Sequence, residues 1–193
     1  MSREEYSSSN GELKNDKIFN IDELIYGIAE GKMVCLEKLY EQVSSSVYAY
    51  ALSIMKNSHA AEDVMQDTFI NIVQGAKSYT SQGKPMAWII TITRNLAHMK
   101  LQRKENQNSS LEDFVDFASY GDQYSESDKK ILINCALNEL KDEDRQIVIL
   151  HAMTGLKHRE IAKIMDIPLS TVLTKYKRAL EKMKKIIGGD GIE

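Results

Sequence analysis

The chain has 193 residues, 42% hydrophobic and 27% charged, with a net charge of −3, which fits one moderate domain or two small ones with enough apolar material for a core. Two prolines and ten glycines among many Leu, Ile, Lys and Glu favour an all-helical chain over a sheet protein. Cys35 and Cys135 are far apart, with no CxxC and no paired His spacing, so neither a disulfide framework, a zinc site nor any other cofactor is expected. The opening "MSREEYSSSNGELKNDK" is polar, unlike a signal peptide, and the longest apolar run, "MAWIITIT", is too short to span a bilayer. The expectation is a cytoplasmic protein without membrane insertion.

In chain order, residues 1–19 read as a disordered tail rich in Ser, Asn, Glu and Lys. "NIDELIYGIAEG" predicts a short helix with Ile21, Leu24, Ile25 and Ile28 on one stripe and Gly31 as its stop. A longer helix follows over 32–57, with Leu36, Leu39, Tyr40, Val43, Val47, Tyr50, Ala51 and Ile54 at helical spacing. Ser58 is placed to cap the next, 59–76, whose Glu62 and Asp63 suit a positive N-terminal end. "KSYTSQGK" reads as a loop, and Pro85 opens the helix "MAWIITITRNLAHMKLQRK". Residues 105–128 show no sustained period and predict a linker, which makes two domains, 20–104 and 129–187, rather than one. The second should hold helices near 128–140, 142–153, 157–165 and 169–187, with 188–193 as a tail. The fold class is therefore all-α: two small helical domains joined by a flexible acidic linker.

Charge is distributed unevenly, and that matters more than its total. Residues 84–104 carry Lys84, Arg94, Lys100, Arg103 and Lys104 and no acid, whereas 105–128 carry Glu105, Glu112, Asp113, Asp116, Asp122, Glu126 and Asp128 and no Lys or Arg. Residues 156–185 hold nine Lys/Arg against Glu160, Asp166 and Glu181. Local charge is what a polyanion meets within a Debye length, so two basic blocks outweigh a slightly acidic sum.

The C-terminal block has the spacing of a helix-turn-helix. Ala162 is the small residue that lets two helices cross closely. Asp166, four positions on, tolerates a left-handed turn, and Val172 anchors the second helix. Pro168 bars continuation from the preceding residue, and Ser170 or Thr171 is placed to cap the new start. With Val172, Tyr176, Ala179 and Leu180 inward, Thr171, Thr174, Lys175, Lys177 and Arg178 are left for the outer side. Short hydroxyls near the N-terminal end suit base edges, and Lys and Arg suit guanine edges or phosphates. A bundle helix with a solvated lysine face is the plainer alternative; the Ala/Asp/Val spacing and the proline-bounded turn favour DNA.

"NELKDEDRQIVIL" and "HREIAKIMDIPLSTVLTKYKRAL" together resemble region 4 of RNA polymerase sigma factors. "AEDVMQDTFINI" followed by "AWIITITRNLA" is similar to region 2 of the same proteins. The motifs stand in the right order, with no helical domain for region 3 between them, a plan similar to the extracytoplasmic-function (ECF) group. The resemblance implies partners: core RNA polymerase, promoter DNA and, as is usual in the family, an anti-sigma factor. It implies that Asp63, Gln66 and Asp67 contact the polymerase clamp helices, with Val64, Phe69 and Ile72 left for the core. It further implies that Tyr79, Thr80, Ser81, Gln82, Lys84 and Asn95 receive a flipped base of the −10 element. Arg94, Lys100, Arg103 and Lys104 would contact phosphates there, and Ser170, Thr171, Thr174, Lys175, Lys177 and Arg178 would read the −35 element. Trp88 matches a family tryptophan but reads equally as core. The sequence departs from the family pattern at Met99, Gln102, Ser170, Leu173 and Lys175. Leu111, Phe114, Val115 and Phe117 make the linker either a solvated tether or an ordered path through the polymerase channel.

An enzyme is not expected, because His59, His98, His151 and His158 are scattered and no HExxH, G-x-S-x-G or Gly-rich phosphate loop is present. The remaining alternative is a stand-alone helix-turn-helix regulator with a helical sensor or dimerisation half.

Overall fold

The computed structural model describes residues 19–105 and 127–188, the side chains at 104–105 and 127–130 excepted. These residues form α1 (Ile21–Ala29), α2 (Met33–Met55), α3 (Ser58–Gly75), a single 3-10 turn (Ala76–Ser78), α4 (Pro85–Glu105), α5 (Ser127–Asn138), α6 (Asp142–Thr154), α7 (His158–Met165) and α8 (Leu169–Ile187). No strand occurs among them. Residues 1–18 of the expected tail and most of the expected linker, 106–126, lie outside the described residues, as do 189–193.

Helices α1 to α4 pack around α2. Ile25, Leu39, Val47, Leu52, Val64, Ile72, Ile89 and Ile90 are essentially inaccessible, each burial being worth about 1.5–3 kcal/mol. Thr68 on α3 and Thr93 on α4 return their hydroxyls to Val64 and Ile89 carbonyls, at 2.8 and 3.0 Å, so α3 and α4 meet across small, satisfied side chains. Phe19, at the end of the expected tail, belongs to the fold: its amide and carbonyl exchange hydrogen bonds with the Gln42 amide, both at 3.1 Å, and Lys38 lies over its ring. Tyr40, on the expected apolar stripe of α2, is exposed and its ring lies tilted against Phe69, with centres 4.8 Å apart.

The caps differ from expectation in instructive ways. Asn57, not Ser58, caps α3; its side-chain oxygen accepts from the Ala60 amide at 2.9 Å, and Ser58 becomes the first helical residue. The register shifts because Lys56 turns left-handed at φ 52 and closes α2 at Met55, two residues earlier than expected. Asp166 takes the left-handed turn between α7 and α8 at φ 55, as its position required. Helix α8 starts at Leu169 behind Pro168, so neither Ser170 nor Thr171 caps it. Val172 and Ala179 are fully buried, but Leu180 is 44% exposed; one turn further on, Met183 packs against the core in its place.

Helices α5 to α8 pack through Leu140, Ile147, Leu150, Leu156 and Ile161. The α5–α6 turn is tied by Arg145, whose Nε donates to the Leu137 carbonyl at 2.8 Å while a terminal nitrogen donates to Leu140 and Asn138 at 2.8 and 3.1 Å. This second group of helices also packs on the first, α6 against α2 and α7 against α4.

Candidate nucleic-acid interface

The loop after the 3-10 turn and the first half of α4 enclose a concavity of about 360 Å³. Thr80, Gln82, Lys84, Trp88, Arg94 and Asn95 line it, together with the ring of Tyr79. Tyr79 is buried between Tyr26 and Trp88, with ring centres 5.8 and 4.6 Å away, and its hydroxyl donates to Asp22 at 2.5 Å. Burial, then that carboxylate, pushes its phenol up to about 12. The ring is thus a fixed wall with its polar end already engaged. Trp88 is half-buried against Gly75 and serves core and pocket at once. Ser81 does not line the concavity: its hydroxyl oxygen accepts from the Gly83 amide at 3.0 Å and its own amide donates to Tyr26, which shapes the loop. Gly83, at φ 69, supplies the turn that lets Lys84 and Pro85 start the helix.

Ala87 and Thr91 of α4 and three residues from further along the chain, none of them expected from the sequence, complete the walls. Glu160, Lys163 and Ile164 come from α7, and the Glu160 carboxylate lies 3.1 Å from Lys84 Nζ. Burial alone would raise the Glu160 pKa, but the Lys157 amide and the Lys84 ammonium outweigh it and hold the carboxyl below the usual range. Only tertiary packing brings these residues to the site, so no local signal could have found them.

Further along α4, Lys100 is 2.9 Å from Asp67 and 3.7 Å from Asp63 on α3. One surface expected to meet phosphates and another expected to meet a protein partner therefore neutralise each other where they adjoin. Arg103 is exposed, and the Lys104 side chain lies outside the described residues. Asp63 and Gln66 are exposed on α3 and Asp67 is half-buried. Ile70, 53% exposed, and Val73 extend that face by one turn. They carry the apolar component that the acidic pattern concealed; the i, i+3, i+4, i+7 spacing of Asp63, Gln66, Asp67 and Ile70 was the available signal.

On α8, Ser170, Thr174 and Lys177 are exposed and Thr171 is half-buried. The Thr174 hydroxyl returns to the Ser170 carbonyl at 2.9 Å, and Lys177 lies 3.9 Å from Glu181. Lys175 and Arg178 turn toward α6. Lys175 Nζ is 2.7 Å from Glu143, and Arg178 donates from Nε and a terminal nitrogen to the buried Asp144 carboxylate at 3.0 and 2.7 Å. Leu173 and Leu169 stand exposed beside the hydroxyls.

A pocket beside a basic helix, a half-exposed acidic face and a helix-turn-helix define a helical DNA-binding protein with a further surface for a macromolecular partner. Comparison with known proteins makes this specific. The Sigma-70 region 2 model matches residues 39–107, and the Sigma-70, region 4 model matches residues 130–183. RNA polymerase sigma factor CarQ of Myxococcus xanthus is 24% identical over 161 residues, covering 82% of this chain and 92% of that one. ECF RNA polymerase sigma factor SigM of Bacillus subtilis is 24% identical over 155 residues, covering 78% and 94%. Among solved structures, the sigma factor RpoE of Bartonella quintana, in complex with the anti-sigma factor NepR, matches with a TM-score of 0.64. Its identity is 22%, over 79% of this chain and 96% of that one. CnrH, in complex with the cytosolic domain of CnrY, matches at 0.59 and 17% identity, over 88% and 98%; at these identities the likeness is one of fold.

The chain belongs to the RNA polymerase sigma factors, and within them to the extracytoplasmic-function group. It binds core RNA polymerase and promoter DNA and directs transcription initiation, a reading favoured over the stand-alone regulator. Among the described residues no helix is long and apolar enough to cross a membrane.

Proposed function

We propose that three surfaces divide this work. The face of α3 with Asp63, Gln66 and Asp67, extended by Ile70, docks on the polymerase, its amide and carboxylates meeting cationic side chains through charge-assisted hydrogen bonds. The concavity at the start of α4 receives a base of the −10 strand: Asn95 and Gln82 offer hydrogen bonds, Tyr79 and Trp88 offer apolar walls, and Arg94 and Lys84 meet phosphates. Lys100, Arg103 and Lys104 continue the phosphate track along α4. The N-terminal turns of α8 enter the major groove at the −35 element with Ser170, Thr171, Thr174 and Lys177 foremost, and Lys175 and Arg178 position the helix on phosphates.

On the same reading residues 20–104 and 129–187 are separate folding units joined by 105–128, the chain works in the cytoplasm, and it contributes no catalytic group, the polymerase carrying out the chemistry. An anti-sigma protein holds it inactive, as the partners in the solved complexes of RpoE and CnrH suggest.

The observation that carries this assignment is the concavity itself, with aromatic walls, an amide and two cations converging at the start of α4. Run-off transcription with core polymerase of the same organism, on a pool of its own genomic fragments, tests it. Discrete transcripts are expected only with both components present, and Asn95→Ala should impair open-complex formation while leaving polymerase affinity intact. Asp63→Lys and Gln66→Lys should lose polymerase affinity while remaining folded. Unchanged affinity in both would remove the α3 assignment.

A further inference from the structure

Helix α8 begins with apolar side chains that its packing does not use. Val172 and Ala179 are fully buried, and Tyr176 and Met183 complete the inward stripe, with Tyr176 edge-on to His151 and His158 at 5.0 and 4.6 Å. Leu169 and Leu173 lie off that stripe, 43% and 48% exposed; at i, i+4 spacing they adjoin on the helix surface. Ser170, Thr174 and Lys177 are exposed beside them. Thr174 gives its hydroxyl proton to the Ser170 carbonyl at 2.9 Å and so keeps only acceptor lone pairs for a ligand. Two cations of these turns are drawn aside: Lys175 lies 2.7 Å from Glu143, and Arg178 donates to Asp144 at 2.7 Å. The start of the helix therefore presents hydroxyls and leucines, short groups that reach only what the backbone approaches closely.

We propose that Leu173, flanked by Leu169, covers the C5-methyl group of a thymine in the −35 element and so selects thymine over cytosine at one position. This rests on the assignment of α8 to that element. The thymine methyl is the one apolar group that base pairs present in the major groove. Leucine neither donates nor accepts a hydrogen bond, so the methyl is the feature it can recognise there. A cytosine in the same place would set its amino group against an apolar side chain and leave a donor unpaired. A lysine or arginine at this position would seek guanine or phosphate instead. The departure of Leu173 from the family pattern thus changes what is read at the position. Covering one methyl is worth about fourfold in affinity, the equivalent of roughly 0.8 kcal/mol for a buried CH2 group.

Uracil isolates this contact, since it lacks only the methyl group of thymine and keeps every hydrogen-bonding atom. Promoters identified by run-off transcription supply the duplex, and each thymine of the −35 element, on either strand, is replaced by uracil in turn. Competition for the holoenzyme, followed by fluorescence anisotropy of a labelled promoter, gives relative affinities for wild type and for Leu173→Ala. Leu173 is exposed and alanine is the better helix former, so the variant keeps its fold, which circular dichroism checks. Uracil at one position should weaken the wild type about fourfold. Leu173→Ala should bind the thymine promoter about fourfold less tightly and no longer distinguish uracil at that position. Equal binding of every uracil duplex by the wild type would overturn the proposal, as would discrimination that survives in Leu173→Ala. Promoter binding unchanged throughout in Leu173→Ala would make the leucines a surface for a protein partner, which also overturns it. A promoter with a scrambled −35 element distinguishes this failure from that of the underlying assignment. If scrambling weakens binding but no uracil does, the leucine assignment alone fails; if scrambling changes nothing, the assignment of α8 to the −35 element fails.

Discussion

Replacing Arg145 by Met should destabilise the helix-turn-helix region by roughly 3 kcal/mol, and the number follows from what the guanidinium touches. Helix α5 ends at Asn138, leaving its last carbonyls without intrahelical partners. Arg145, only 5% exposed, donates to the carbonyls of Leu137, Asn138 and Leu140 at 2.8–3.1 Å, and another terminal nitrogen lies 3.3 Å from Asp142. Hydrogen bonds from a charged donor are worth about 1.5–3 kcal/mol each. Burial offsets part of this, as the lowered pKa of the guanidinium records, its first cause being desolvation. Three bonds near the low end, less about 1–2 kcal/mol of desolvation, leave the roughly 3 kcal/mol stated. That is a fifth or more of the 5–15 kcal/mol typical of a domain. Urea unfolding followed by far-ultraviolet circular dichroism measures it, as a lowered midpoint at constant slope. Arg145→Lys should recover less than half, because a single ammonium cannot span the three carbonyls. A loss below about 1 kcal/mol for Arg145→Met would refute the reasoning: the carbonyls would then be finding water at no cost.

Asp144→Asn frees Arg178 and removes the longer of the two carboxylate contacts of Lys175, which keeps Glu143. It should lower stability by about 1–2 kcal/mol, discounted because Arg178 is half-exposed, and steepen the salt dependence of duplex binding by about one phosphate contact; an unchanged salt slope would show that the acids do not restrain those cations. Stability should fall as pH drops below about 6.5, because the pKa of His158 is lowered by burial and by His151, which stacks on it at 4.4 Å beside Tyr176. The folded state then binds fewer protons than the unfolded one, so the loss starts at the ordinary value of 6.5 and is complete below the folded pKa. His158→Phe, which keeps an aromatic ring in the stack, should flatten that dependence in melts between pH 5 and 7, while the trend from His98, shifted the same way by burial and Arg94, remains. Gly27→Ala would set a methyl 2.3 Å from Cys35 Sγ and should cost about 1–3 kcal/mol; Cys35→Ala in the same chain should restore part of the melting temperature, and no restoration would argue against that clash.

Helix positions were legible because hydrophobic period and breakers act locally. Gly31, Pro85, Asp166 and Pro168 each mark a boundary the structure keeps within about two residues. Caps were less legible: Asn57 and Ser58 are both good capping residues, and a left-handed Lys56, which no propensity announces, decided between them. Leu180 was misread because a helical stripe has two edges, and burial of Met183 chose the other. The concavity was legible as a set of residue types after an aromatic loop, yet not as a shape. Tyr79 gives its hydroxyl to Asp22, fifty-seven residues away, and Glu160 arrives from another region. The packing of α6 on α2 was not legible because Ser46 and Ala49 are small residues whose contacts with α6 are purely tertiary.

The pairings also explain why a slightly acidic chain can serve DNA. Lys84, Lys100, Lys175 and Arg178 each face a carboxylate, from Glu160, Asp67, Glu143 and Asp144 respectively. The more exposed of these pairs, Lys100–Asp67 and Lys175–Glu143, contribute only about 0–1 kcal/mol each, too little to lock a cation away. A lone duplex offers phosphates to one patch at a time and must break a pair for each contact. The near-neutral total thus includes cations of the expected DNA-facing surfaces that are each paired with a carboxylate within the fold.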